Sequence, residues 1–247
     1  MNELVIEARP DSGALVERRG NVMVITINRP EARNAINSAV STAVGDALDQ
    51  AQQDPEVRVV VITGAGEKSF CAGADLKAIS RRENIYHPDH SEWGFAGYVR
   101  HFIDKPTIAA VNGTALGGGT ELALGSDLVV VEQSAKFGLP EVKRGLIAAA
   151  GGVFRIIDHL PRKVALEMLF TGEAMSSADV LKWGLINQVV PDGTVLDAAL
   201  ALAERITCQR AAGGVGQQAG GLRRRRGRDH PTTSRAGHAP CVRSARC

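Results

Sequence analysis

Three short apolar stretches constrain this 247-residue chain more than any other feature: Val57–Thr63, Thr107–Val111 and Leu128–Val131. A half-exposed strand would alternate apolar and polar residues. Near-continuous runs of this length, with glycines at their borders, fit strands buried on both faces. Ala14–Arg18 and Val22–Asn28 form two earlier β-type runs around the turn signal Arg19-Gly20-Asn21, and Arg29-Pro30 ends the second. Asn37 or Ser38 can cap a helix running to about Gln53, with Val40, Val44, Ala47, Leu48 and Ala51 on one face and Asp54-Pro55 as its stop. Further helices are expected at Leu160–Thr171, Ser176–Trp183 and Val195–Thr207. Strands alternating with helices predict an α/β class.

The length is enough for one sizeable core. No apolar run reaches the roughly 18 residues that a membrane-spanning helix needs. The first residues, with Glu3 and Glu7 and no apolar stretch, do not read as a signal peptide. Four cysteines without paired or metal-like spacing predict a reducing, cytoplasmic setting. The net charge of +2 hides a split: residues 208–247 hold nine Arg and one Asp, which is +8, so residues 1–207 carry −6. That tail has no Lys, Glu, Ile, Phe or Tyr and is rich in Arg, Gly and Ala. Such a composition buries too little apolar surface to offset the entropy of ordering. It reads as out-of-frame translation from a GC-rich gene or a replaced C-terminus. Its Arg223–Arg226 run has charge for an acidic partner but no interleaved aromatic residue, so nucleic-acid binding is not expected.

The chemistry gathers in three segments. One is Phe70-Cys71-Ala72-Gly73-Ala74-Asp75-Leu76-Lys77; another runs from Asn112 through Gly117-Gly118-Gly119-Thr120 to Glu121; the third is Phe137-Gly138-Leu139-Pro140-Glu141, followed by Ala149-Ala150-Gly151-Gly152. Glycines ahead of a helix and then a carboxylate describe bare backbone N–H donors beside an acid/base group. A helix start adds partial positive charge. The common alternative for a glutamate is a solvated or ion-paired surface group, but Leu122, Ala123 and Leu124 flank Glu121 with apolar residues.

Taken together these segments resemble the enoyl-CoA hydratase (crotonase) family, over about Ala14 to Thr207. The resemblance implies a spiral of ββα units, here residues 1–190, with a C-terminal helical trimerisation region beginning at 191–207 and the atypical tail at 208–247. It implies an acyl-CoA substrate and a homotrimer or hexamer, weakened by the altered C-terminus. It requires no metal or redox cofactor, coenzyme A arriving as part of the substrate. The N–H groups of Ala74 and Gly118 would form an oxyanion hole. Glu121 would activate water and Glu141 would protonate the α-carbon. Asn28-Arg29-Pro30-Glu31-Ala32-Arg33-Asn34-Ala35 resembles the first CoA loop. Ala32 and Arg33 would line the pantetheine and phosphate path, Ala72, Asp75 and Leu76 would border the adenine, and Lys77 is a further phosphate candidate. For Arg33 and Lys77 the competing reading is a solvated surface charge. Gly117 and Ala149 would line the substrate pocket. Ala149 stands where the family often has a glycine, and Leu139-Pro140-Glu141-x-Lys143 with Thr171-Gly172-Glu173-x-Met175 look closer to the carnitinyl-CoA dehydratase branch.

Enoyl-CoA hydration is the first reading. Isomerisation, dehydration of a polar acyl group, and an inactive binding-only protein stay open beside it, although the isomerase branch usually keeps only one of the two glutamates. Other motifs fall away. Gly64-Ala65-Gly66-Glu67-Lys68-Ser69 lacks the glycine before Lys68 that a phosphate loop requires, and no Gly-x-Ser-x-Gly elbow is present. The six histidines lack metal-ligand spacing. Cys71 reads as a packed residue rather than a nucleophile.

Overall fold

A computed structural model describes Leu4–Val5 and residues 13–209, so the readings of the tail beyond Gln209 lie outside the described residues. The chain opens with β1 (Leu4–Val5), β2 (Ala14–Arg19) and β3 (Val22–Ile27), paired antiparallel, with Gly20-Asn21 at the second turn. Helix α1 (Ser38–Gln53) follows. The Asn37 side chain accepts the Val40 N–H at its start, and the expected face of Val40, Val44, Ala47, Leu48 and Ala51 is buried.

From there the chain advances in repeated turns. Each lays one strand in a large sheet, one short strand in a small sheet, and then helix. The first turn is β4 (Val59–Gly64), β5 (Ser69–Cys71) and α2 (Leu76–Ser80). The second is β6 (Thr107–Val111), β7 (Thr114–Leu116) and α3 (Gly118–Gly125). The third is β8 (Leu128–Glu132), β9 (Lys136–Gly138), α4 (Gly152–His159) and α5 (Arg162–Thr171). Then come β10 (Met175–Ser176), α6 (Ser177–Lys182), β11 (Gln188–Val190) and α7 (Val195–Thr207). The large sheet runs β1-β2-β3-β4-β6-β8-β11 and the small one β10-β9-β7-β5. From β3 onward the large sheet is parallel. This is the ββα spiral.

The apolar runs have a direct physical cause. On one face of the large sheet, Ile25, Val60, Ile62, Ala109 and Val131 pack with α1 in the main core. On the other, Val24, Val59, Val61, Ile108 and Val130 pack under Val195, Ala199 and Ala203 of α7. A strand covered on both sides has no solvent face to encode, and each fully buried Val or Ile contributes roughly 1.5–3 kcal/mol before entropy is counted.

Two expected boundaries are corrected. The helix expected at Leu160–Thr171 starts two residues later: Leu160 is extended at ψ 152° and α5 begins at Arg162. Pro161 disfavours helical backbone in the residue before it, so α4 ends at His159, and α4 itself was not foreseen. The run beginning at Val57 enters the sheet only at Val59, because the Val57 N–H closes a turn onto the Asp54 carbonyl. The polar stretch around Ser80–Gly97 ends in two 3-10 turns, where Trp93 stacks between His90 and His101 with ring centroids 4.0 Å apart on each side. Among the described residues no helix is long and apolar enough to cross a membrane.

Candidate active site

Two turns of the spiral meet at the site. A Cβ placed on Gly73 would lie 3.0 Å from the Gly118 nitrogen, so the Ala72–Asp75 turn touches the start of α3. Ala74 forms a parallel bridge with Ile36 in which the Ile36 N–H donates to the Gly73 carbonyl and the Asp75 N–H to the Ile36 carbonyl. That pattern uses the groups on either side of Ala74 and leaves its own N–H outside the pairing. Gly118 is the first residue of α3, a position whose N–H has no intrahelical acceptor. The structure thus brings Ala74 and Gly118 together at one place. The helix starts at Gly118, with Gly117 at φ 55° and ψ −122° as its cap. Only glycine adopts that backbone cheaply.

The two glutamates approach from different elements. Glu121 sits on the first turn of α3 and is 3% exposed. Its Oε1 accepts the Gly152 N–H at 2.8 Å, and the Ala150 N–H lends a further contact. Burial pushes its carboxyl up to about 7, the Gly152 N–H opposes this, and the nearby Glu141 charge adds to it. Glu141 stands in the 3-10 turn Pro140–Arg144. Its Oε1 lies 2.9 Å from where a Cβ on Gly117 would be, which sets it against the cap of α3. Its Oε2 is buried with no hydrogen-bond partner among the described residues. Burial raises this carboxyl as well, with Arg144 pulling the other way. A buried acceptor left unpaired costs on the order of 1–3 kcal/mol, and such groups mark places where a ligand or water is meant to bind.

The candidate CoA loop is held against this centre by polar contacts. Asn34 is buried with a left-handed backbone; its amide donates to the Ala65 and Ser69 carbonyls at 3.0 and 2.7 Å, and its Oδ1 accepts the Arg29 N–H. The Arg29 guanidinium donates to the Ala35 carbonyl at 2.7 Å and pairs with Asp75 at 3.0 Å. Asp75 also caps α2 by accepting the Lys77 and Ala78 N–H groups. Burial tends to raise its carboxyl, but these bonds and Arg29 hold it below the usual range. The Asp75 and Ala72 N–H groups are taken by the Ile36 and Arg33 carbonyls. Any adenine contact at these residues would fall to their carbonyls. Ala32 is half-buried, whereas Arg33, Leu76 and Lys77 are exposed along the rim. Ala149 is exposed on the loop that carries Ala150 and Gly152.

Sequence reasoning missed the roles of Arg29, Asn34, Ala150 and Gly152. Only the Gly151-Gly152 pair carried a local signal. The Cys71 thiol is pushed up to about 12 by complete burial, which removes it as a nucleophile near neutral pH. Among the described residues no cluster of three or more His, Cys, Asp or Glu is placed to hold a metal ion.

Comparison with known proteins bears on this site. A sequence profile described as enoyl-CoA hydratase/isomerase matches residues 17–213, a span that contains every site residue named above. A carnitinyl-CoA dehydratase of Salmonella paratyphi A is 46% identical over 190 residues, 76% of this chain and 72% of that protein. Among solved structures, a carnitinyl-CoA hydratase from Mycobacterium avium aligns with a TM-score of 0.82 at 72% identity, covering 87% of this chain and 80% of that one. An enoyl-CoA hydratase from Mycobacterium tuberculosis H37Rv aligns with a TM-score of 0.75 at 46% identity, covering 79% and 76%. The profile match therefore spans both turns and both glutamates.

Proposed function

The chain belongs to the enoyl-CoA hydratase/isomerase family, and from that premise we propose that it adds water reversibly across the α,β double bond of an enoyl-CoA thioester. The observation that carries this reading is the buried Glu121 carboxylate with half-buried Glu141 near enough to disfavour its ionisation, the latter set against the Gly117–Gly118 turn with its Oε2 unpaired. In the hydration direction ionised Glu121 takes a proton from water as its oxygen bonds to Cβ. The π electrons move onto the thioester oxygen, where the Ala74 and Gly118 N–H groups stabilise the enolate. Protonated Glu141 then delivers a proton to Cα. Two neighbouring carboxylates that cannot both ionise freely are suited to sharing one proton in this way. The chemistry as written needs no metal or redox cofactor. CoA enters with the substrate, along Ala32 and Arg33 and past Ala72, Asp75, Leu76 and Lys77, with Gly117 and Ala149 at the acyl end.

The acyl group we favour is the carnitinyl type, on the strength of the high identity to the Mycobacterium avium protein. Enone absorbance tests this directly: it is lost as crotonyl-CoA is hydrated and gained as carnitinyl-CoA, a 3-hydroxyacyl thioester, is dehydrated. We expect turnover of both, with the higher kcat/KM on the carnitinyl substrate. Turnover of crotonyl-CoA alone would return the assignment to a plain enoyl-CoA hydratase, and turnover of neither would sink the reading. The pH dependence has a definite sign. Glu121 must be ionised to accept a proton, and its carboxyl lies up at about 7. Hydration kcat/KM should fall about tenfold per unit as pH drops below that value. A flat profile down to pH 5 would contradict the role.

We also assign a homotrimer or hexamer. Ile147 is 74% and Phe170 72% exposed, and Leu146 and Phe154 are exposed as well, apolar side chains that a neighbouring copy would cover. With the C-terminus altered this assembly is expected to be weakened: light scattering should report three or six copies that dissociate on dilution more readily than an intact relative, and an assembly as stable as that relative's would refute the weakening. The buried, reduced Cys71 fits a cytoplasmic setting.

A further inference from the structure

Resting on that reading, we infer that Arg155 is a positioning residue of the site, one cation that ties the loop bonded to Glu121 to the segment packed along α3. Its Nη1 donates to the Ala150 carbonyl at 2.9 Å and its Nη2 to the Val99 carbonyl at 2.6 Å. The first contact anchors the loop whose Ala150 and Gly152 N–H groups face the Glu121 carboxylate. The second anchors the segment from Phe95 to Val99, which grips α3 at both ends. At the start, a Cβ on Gly118 would lie 2.4 Å from the Phe95 ring. At the finish, the Tyr98 hydroxyl is 2.8 Å from Ser126 Oγ at the C-cap of α3.

The loop is shaped for this guanidinium. Gly151 has φ 103°, and a Cβ there would lie 2.4 Å from Arg155 Nη1. A side chain at Gly151 would displace the cation. The charged groups that act on Glu121 are Glu141, from the 3-10 turn, and Arg155, from α4; the first disfavours its ionised form and the second favours it. Cys71 of β5, packed against the start of α3, is held neutral by burial. Loss of Arg155 removes the favourable charge and frees the Ala150 carbonyl, so the N–H donors drift from Glu121. Both changes make Glu121 harder to ionise. Lysine keeps the charge but has no planar fork to join two carbonyls.

The test compares Arg155→Met and Arg155→Lys with the wild type, using two readouts. One is the pH profile of kcat/KM, read at the acid limb for hydration of crotonyl-CoA and at the alkaline limb for dehydration of carnitinyl-CoA, in which Glu121 works protonated. The other is a carboxyl-carbon NMR titration with labelled glutamate, the Glu121 signal being assigned by its loss in Glu121→Gln. In Arg155→Met the acid limb and the Glu121 titration should both move up by about one pH unit. At pH 7, kcat should drop about 10- to 100-fold with KM little changed. Arg155→Lys should show a smaller shift in the same direction, and it carries the comparison if the Met variant fails to fold. Folded variants with a lower melting temperature but an unmoved Glu121 titration would overturn the inference and leave Arg155 a purely structural residue. Should the wild type turn over neither thioester, the catalytic reading fails, while the titration still decides whether Arg155 positions Glu121.

Discussion

Glu121→Gln is expected to lose about 10³-fold in hydration kcat/KM and yet to be more stable than the wild type at pH 8. The two effects share one cause. A buried glutamate, 3% exposed and facing a second carboxylate, resists ionisation, so its carboxyl rises from an ordinary value near 4.5 to about 7. The folded protein then binds the proton more tightly than the unfolded chain. Stability from this group is fully present below about 4.5 and is lost as pH rises through about 7. At pH 8 the wild type holds a charge it would rather lack, and glutamine, which keeps an oxygen for the Gly152 N–H, removes that charge. The expected gain is on the order of 2 kcal/mol at pH 8 and vanishes only below about pH 4. Paired urea melts at the two pH values check it. A variant destabilised equally at both would show that Glu121 is held by bonds that favour its charged form.

Gly119→Ala is expected to be the most damaging small substitution in the spiral. A Cβ at this position would lie 2.0 Å from the Cys71 carbonyl oxygen and 2.8 Å from its carbon. Those are backbone atoms of β5, and no rotamer change relieves the clash. Helix α3 must back away from the small sheet, carrying Gly118 and Glu121 with it. The expected cost is about 3 kcal/mol or more, above the usual range for overpacking because backbone must shift. Gly20→Ala is the control: it has nothing within 4 Å to meet, only its left-handed backbone at φ 60°, for a cost of about 1–2 kcal/mol. Equal urea midpoints for the two variants would refute the close-packing account of α3.

How much of this was legible beforehand depended on how far apart the interacting residues lie. The run Thr107–Val111 announced its strand because burial on both faces leaves only apolar residues. Helix α1 was readable from its Asn37 cap and one apolar face. The start of α5 was misplaced by two residues, although the effect of Pro161 on Leu160 is local. Glu121 and Glu141 were picked out by flanking glycine and proline and by family resemblance, since neither has a periodic signature. The contacts that organise the site were not visible. Asn34 reaches Ser69, Arg29 reaches Asp75, and Arg155 reaches Val99, across 35, 46 and 56 residues of sequence respectively. Pairings of that span leave no local pattern. They arise only once the spiral stacks one turn on the next.

The central claim is that a pair of carboxylates adds and removes water at an enoyl thioester. The most direct measurement is mass spectrometry of crotonyl-CoA incubated with the wild type, Glu121→Gln and Glu141→Gln in deuterated water. The account predicts a wild-type product carrying a new hydroxyl at Cβ and one deuterium on Cα, with both variants forming it at least about a hundredfold more slowly. A wild-type product with a shifted double bond and no added water, or undiminished hydration after either substitution, would contradict it.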